Sequence, residues 1–177
     1  MSEKFSIVMP NYNSNYLKRS IQSVINQNYE NWELIVIDNY SSNFPEKIIE
    51  EFKNHKIRFF RFNNNNNIGK SRNFGIKKAK FEWIAFLDSD DVWEKDKLIK
   101  VNNAIKLSKS DLIYHGMYYL PKKFGFLKQI IKNKSSLINE PIYENLLKYG
   151  NPIANSSVVI KKKKLAEIGF ISEHDEK

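Results

Sequence analysis

The first hundred residues alternate between short, unbroken apolar runs and stretches in which apolar positions recur every three or four residues. Phe5 to Met9 (FSIVM) is the first run and predicts a buried strand, ended by Pro10. Asn11 to Asn15 is polar and turn-prone. Leu17, Ile21, Val24 and Ile25 then repeat at helical spacing, with Ser14 placed to cap the helix. Glu33 to Ile37 (ELIVI) predicts a second strand, followed by the polar loop Asp38 to Ser42. Pro45 suits the first turn of a helix that buries Ile48, Ile49 and Phe52. Ile57 to Phe62 predicts a third strand, and the asparagine run Asn63 to Asn67 a loop. Gly69 to Lys80 predicts a helix and Trp83 to Leu87 a fourth strand. Asp88-Ser89-Asp90-Asp91 follows at once, and Leu98, Val101 and Ile105 mark another helix.

Strand–helix alternation with continuous apolar strands implies burial on both faces. The expected class is α/β, a Rossmann-like, mostly parallel sheet flanked by helices. Ligands of such sheets bind outside the carboxyl ends of the strands. The loops Asn11–Asn13, Asp38–Asn39 and Asp88–Asp91 converge there. Beyond residue 110 the pattern weakens. Asp111 to His115 and Ser157 to Ile160 read as strands, Pro141 to Tyr149 as a helix, and Lys163 to Ile168 as a short helix closed by Gly169. Residues 1–110 therefore read as an α/β half, and residues 111–177 as the start of a second, less regular region.

Composition narrows the setting. No apolar stretch approaches the roughly 18 residues of a membrane span, and the N-terminus lacks the pattern of a secretory signal. Cysteine is absent, which excludes disulfides and Cys-based zinc sites. Together these features favour the cytoplasm. The net charge of +9 is concentrated after residue 100 and comes almost entirely from lysine, so it reads first as a solvated basic surface rather than a nucleic-acid site. Lys122 to Lys134 (KKFGFLKQIIKNK) interleaves basic and apolar residues. It has two readings: a segment packed on the core, or a peripheral contact with anionic membrane at the inner face.

The strongest chemical signal is the acidic loop. Three carboxylates in four residues are costly together unless solvated or neutralised by a cation. Oxygen ligands on a tight loop suit Mg²⁺ or Mn²⁺, with phosphate completing the shell. A turn followed by a helix cap, with Asp91 capping the helix of Leu98, is the competing reading, and on the carboxylates alone the two stand level. Gly69-Lys70-Ser71 is not a P-loop, since position 64 is Asn rather than Gly. Ser71 and Arg72 can still hold an anion near a helix start. His55, His115 and His174 show no ligand spacing. Trp83 reads as core, and Trp93 is placed to line a pocket.

Four ordered blocks make the chain resemble glycosyltransferase family 2, inverting enzymes with the A-type nucleotide-diphospho-sugar fold. They are FSIVMPNYN with the following helix and VINQNYENWELIVIDNYSS, then NIGKSRNFGIKKA, then WIAFLDSDDVW, then NPIANSSVVIKKKKLAEIGFISE. The resemblance implies that Pro10, Tyr12 and Asn13 lie against the nucleotide and that Asp38 and Asn39 read the base. Asn39 stands where many relatives carry a second acid, so the base stays open. By the same resemblance Arg72 would lie near the nucleotide. Asp88, Ser89 and Asp90 match the DXD motif, which implies Asp88 near ribose and metal and Asp90 on the metal.

The implied reaction moves a sugar, with inversion, from a nucleotide-diphospho-sugar to a hydroxyl of a glycan or lipid-linked glycan acceptor, in polysaccharide biosynthesis. A carboxylate must take the acceptor proton. In the family that base follows a segment like GFISE, so the resemblance implies a base beyond Lys177, with Asp175 and Glu176 the acidic pair at hand. Residues 1–110 would be the nucleotide-sugar-binding half and 111–177 the start of an acceptor-side region, C-terminally truncated. Two rivals remain. A nucleotidyltransferase would open with a Gly-rich basic loop after strand one, where PNYNSN stands. A non-catalytic nucleotide-sugar or membrane-surface binding fragment would keep the donor loops and lack the base.

Overall fold

The computed structural model describes residues 2–118, 138, 141–151 and 153–173. The described elements run β1 (Phe5–Asn11), α1 (Leu17–Ile25), β2 (Trp32–Asp38), α2 (Pro45–Glu50), β3 (Ile57–Arg61), α3 (Ile68–Lys78), β4 (Trp83–Phe86) and α4 (Lys97–Ser108). After these come β5 (Leu112–Ile113), α5 (Ile142–Tyr149), a 3-10 turn (Asn155–Ser157), β6 (Val159–Lys161) and α6 (Lys162–Glu167). The sheet order is β3-β2-β1-β4-β6-β5. β1 to β4 are mutually parallel, and β6 runs against both of its neighbours.

Every residue of β1 and β2 is buried, as their unbroken apolar runs require. Alternation along these strands splits the core in two. Phe5, Ile7, Met9, Leu34 and Val36 face α1 and α4, with Ile48 and Ile49 of α2 at the margin. Val8, Ile35 and Ile37 face Ile76 of α3 and Leu165 of α6. Gly75 of α3 lets that helix lie close to the sheet: a Cβ there would stand 2.5 Å from Val8 Cγ1 and 2.7 Å from Ile37 Cδ1.

Four local expectations differ from the structure. β1 does not stop at Pro10 but continues to Asn11 in register with Asp38. Val8 and Pro10 share the strand edge that faces β4. Pairing there ends when Leu87 N donates to Val8 O, so no partner needs the N–H that Pro10 lacks. Ser14 does not cap α1, whose cap is Tyr16 without a side-chain bond; the Ser14 hydroxyl donates to Ser89 O instead. α3 starts one residue before Gly69, because Asn67 closes the asparagine run by accepting from Lys70 N. Asp91 is not a cap, since α4 begins at Lys97 behind Asp96. The segment from Lys122 to Lys134 lies outside the described residues, as do His174, Asp175 and Glu176.

Candidate donor site

Parallel strands deliver their following loops to one edge, and here four of those loops enclose a cleft of about 600 Å³. Pro10, Tyr12, Asn13, Asn39, Asp88, Ser89 and Asp90 line it together with Ser71, so these eight residues singled out in the sequence meet. Asp38 and Arg72 are not in the lining; both stand behind it.

Asp38 at the end of β2 is fully buried. Its Oδ1 accepts from Asn11 Nδ2 at 2.8 Å and from the Ser41 hydroxyl, and its Oδ2 accepts from Ser41 N at 2.9 Å. The Ser41 hydroxyl oxygen in turn accepts from Asn13 N at 2.8 Å. The carboxylate thus ties the loops after β1 and β2 together, and Asn13 takes a left-handed φ of 50° within that knot. Asn39, one residue on, reaches the cleft and accepts from Asn64 N at 3.1 Å. Asn64 Nδ2 donates to the Ser71 hydroxyl at 2.9 Å, which fixes the α3 side of the wall.

The acidic loop is anchored at several points. Ser89 O accepts from the hydroxyls of Ser14 at 2.8 Å and Ser20 at 2.9 Å. Asp88 N donates to the Ser156 hydroxyl at 3.0 Å. Arg72 Nη2 donates to Asp88 Oδ1 at 2.8 Å, while no hydrogen bond to Asp88 Oδ2 is found among the described residues. Asp90 is exposed. Burial pushes the Asp91 carboxyl above its ordinary range; the Asp90 and Asp88 charges add to this, and the Ser156 hydroxyl and Arg19 oppose it. Sequence reasoning placed Asn11 in a converging loop but gave no site role to Ser41, Asn64 or Ser156, because neutral side chains carry no motif of their own.

The lining has a definite electrostatic character. Among the described residues it carries two carboxylates, Asp88 and Asp90, and no Lys, Arg or His. Among the described residues no group of three or more His, Cys, Asp or Glu is placed to hold a metal ion. Two hard oxygen donors on one turn still fit a divalent cation that takes the rest of its shell from phosphate and water.

A mostly parallel sheet of this order flanked by helices is the A-type glycosyltransferase fold. The chain belongs to glycosyl transferase family 2, whose model matches residues 6–169. It is 34% identical over 140 residues to the UDP-Glc:alpha-D-GlcNAc-diphosphoundecaprenol beta-1,3-glucosyltransferase WfgD of Escherichia coli, covering 72% of this chain and 55% of that protein. It is 33% identical over 170 residues to the poly(ribitol-phosphate) beta-N-acetylglucosaminyltransferase TarP of Staphylococcus aureus, covering 91% of this chain and 51% of that protein. The crystal structure of S. aureus TarS 1–349 in complex with UDP-GlcNAc superposes with a TM-score of 0.72 at 25% identity, covering 95% of this chain and 48% of that one. The mannosyltransferase PcManGT from Pyrobaculum calidifontis, in complex with GDP-Man and Mn²⁺, shares the fold with a TM-score of 0.67 at 13% identity. The chain spans from 28% to 64% of the length of five such curated relatives.

Proposed function

We propose that this chain is the donor-binding part of an inverting, metal-dependent glycosyltransferase of cell-surface glycan synthesis. The observation that carries the reading is the charge of the cleft. A nucleoside diphosphate brings several negative charges into a lining that already holds Asp88 and Asp90 and, among the described residues, no basic side chain. Arg72 compensates Asp88 from behind, and a cation between the carboxylates and the diphosphate would relieve the remaining repulsion. Bound through Asp88 and Asp90, Mg²⁺ or Mn²⁺ would offset the charge of the leaving diphosphate.

The chain's own residues then have distinct tasks. Asp90 and the unpaired oxygen of Asp88 hold the cation. Ser14, Ser20 and Ser156 fix the loop that carries them. Pro10, Tyr12 and Asn13 flank the nucleotide. Asn39 offers the base an amide, and Asp38 holds the Asn39 loop from behind. The donor is read as a UDP-sugar, because the names of WfgD and of the TarS complex contain UDP-sugars. The acceptor is read as a hydroxyl on a lipid-linked or polymeric glycan, as the names of WfgD and TarP describe for those proteins. No helix among the described residues is long and apolar enough to cross a membrane, and a lipid-linked acceptor would place the reaction at the cytoplasmic membrane face. The acceptor proton must pass to a base other than Asp88 and Asp90, whose charge serves the donor.

Calorimetric titration with UDP and GDP, each with and without Mn²⁺, tests the donor reading. UDP should bind only with Mn²⁺ and more tightly than GDP. Equal affinity with and without the metal would overturn metal dependence. Transfer from UDP-glucose or UDP-GlcNAc to a diphosphopolyprenol-linked sugar separates an active transferase from a binding fragment.

A further inference from the structure

Beneath the acidic loop lies a buried cluster whose side chains do not line the donor cleft. Ser156, in the 3-10 turn before β6, is 1% exposed. Its carbonyl accepts two donors, Lys97 Nζ at 2.8 Å and Trp93 Nε1 at 2.8 Å. Its hydroxyl accepts from Asp88 N at 3.0 Å. One residue thus joins the first turn of α4 to the first residue of the loop. Lys97 is 6% exposed, with Nζ 3.9 Å from the centre of the Trp93 ring. Among the described residues no carboxylate lies within ion-pair distance of Lys97, and the Asp91 charge acts on it from further away. Burial holds its amine well below the ordinary lysine range.

A buried amine without an ion pair is a poor choice for stability. An unbranched apolar side chain would fill the same volume and avoid the desolvation cost. We propose that Lys97 is a positioning residue for the donor site, holding Asp88 in place through Ser156; this rests on the reading of Asp88 and Asp90 as the donor site. Asp88 then has two tethers. Its amide is held by the Lys97–Ser156 route and its carboxylate by Arg72. With both ends held, Oδ2 is aimed rather than left to swing. Residues that orient ligating carboxylates typically change metal-site affinity on the order of 10- to 100-fold when removed.

The test uses Lys97→Met, Ser156→Ala and the double variant, with Glu33→Gln as a comparison. Glu33 is buried at the opposite end of the sheet, where it accepts from Ser6, Lys80 N and Arg58. Lys97→Met should weaken UDP binding in Mn²⁺ roughly 10-fold while its thermal midpoint stays level or rises. Glu33→Gln should lower the midpoint and leave UDP affinity unchanged. Ser156→Ala should match Lys97→Met, and the double variant should be no weaker than either, because both cut one route. Amide exchange at Asp88 in the ligand-free protein should speed up in both single variants. UDP affinity within twofold of wild type in Lys97→Met, or fully additive losses in the double variant, overturns the proposal. If the wild-type chain binds no UDP with Mn²⁺, the donor reading itself fails. Asp88 exchange then decides alone, with an unchanged rate in Lys97→Met and Ser156→Ala counting against the tether.

Discussion

Arg72 and Asp88 form a partly buried ion pair, Nη2 to Oδ1 at 2.8 Å, with side-chain exposures of 8% and 29%. It joins α3 to the loop after β4, and it explains why Arg72 stands behind the cleft rather than in it. The guanidinium holds one oxygen of Asp88 and thereby sets where the other points. Removing the arginine leaves a half-buried carboxylate uncompensated beside Asp90 and Asp91. Arg72→Met should therefore lower the unfolding free energy by about 2 kcal/mol, reduced from a fully buried pair because Asp88 is part-exposed. Urea unfolding measures this. A loss under about 0.5 kcal/mol, the scale of an ordinary surface change, would mean that the pair contributes nothing to the fold.

Asp90 differs from Asp88 in being exposed and in having a side chain with no hydrogen bond found among the described residues. Asp90→Asn should leave stability within about 0.5 kcal/mol of wild type and abolish Mn²⁺-dependent UDP binding. Calorimetry with UDP and Mn²⁺ reads the second effect, and thermal melts the first. Retained binding in this variant would remove Asp90 from the metal site.

Two glycines of α3 separate packing against the sheet from packing against the C-terminal segment. A Cβ on Gly75 would strike Val8 and Ile37, both in the core, so Gly75→Ala should cost about 1–3 kcal/mol by overpacking. A Cβ on Gly69 would stand 2.4 Å from the backbone oxygen of Ser172. That segment is clipped to α3 by Asn73, which donates to Ile171 O and Glu173 Oε1 and accepts from Ile171 N. Gly69→Ala should loosen residues 170–173 with a smaller loss of global stability. Limited proteolysis should cut the Gly69→Ala protein after Ile168 faster than wild type, and should show no such site in Gly75→Ala.

Much of this architecture is legible along the chain, for physical reasons. Strands buried on both faces leave unbroken apolar runs, so β1 and β2 stand out, and Asp88–Asp91 is conspicuous because like charges seldom crowd without a purpose. What was not legible depends on contacts between distant segments. Pro10 fits inside β1 only because β4 stops pairing at Val8. Asn67 caps α3 within a run of identical residues, where nothing marks one asparagine from the next. Ser156 lies 68 residues beyond Asp88, and a serine among NPIANSSVVI has no signature that announces an amide acceptor. Asp38 reads as a ligand residue by position, yet Asn11 and Ser41 occupy both of its oxygens in the structure.

His115 gives the fold a pH dependence that can be assigned to one ring. It follows β5 and lines a cavity with Asp96, Lys97 and Lys100, with Nδ1 2.8 Å from Gly116 O and Nε2 buried without a hydrogen-bond partner among the described residues. Desolvation lowers its pKa to about 4, the Lys97 charge adds to the shift, and the Gly116 carbonyl opposes it. An unfolded histidine titrates near 6.5. Between those values the unfolded chain binds the proton and the folded chain does not, so stability falls as pH falls. The contribution is fully present above about pH 6.5 and is lost progressively toward pH 4, amounting to about 2 kcal/mol after allowance for partial exposure. Lys97, also lowered by burial, has the same sign, and it is present alike in the wild type and in a His115 variant, so their comparison isolates the ring. His115→Asn should therefore flatten the fall in unfolding free energy between pH 6.5 and pH 4.5 and leave the slope above pH 7 unchanged. Urea unfolding across that range in both proteins decides the matter: parallel curves would show that His115 titrates normally in the folded protein and that its pocket is wetter than its packing suggests.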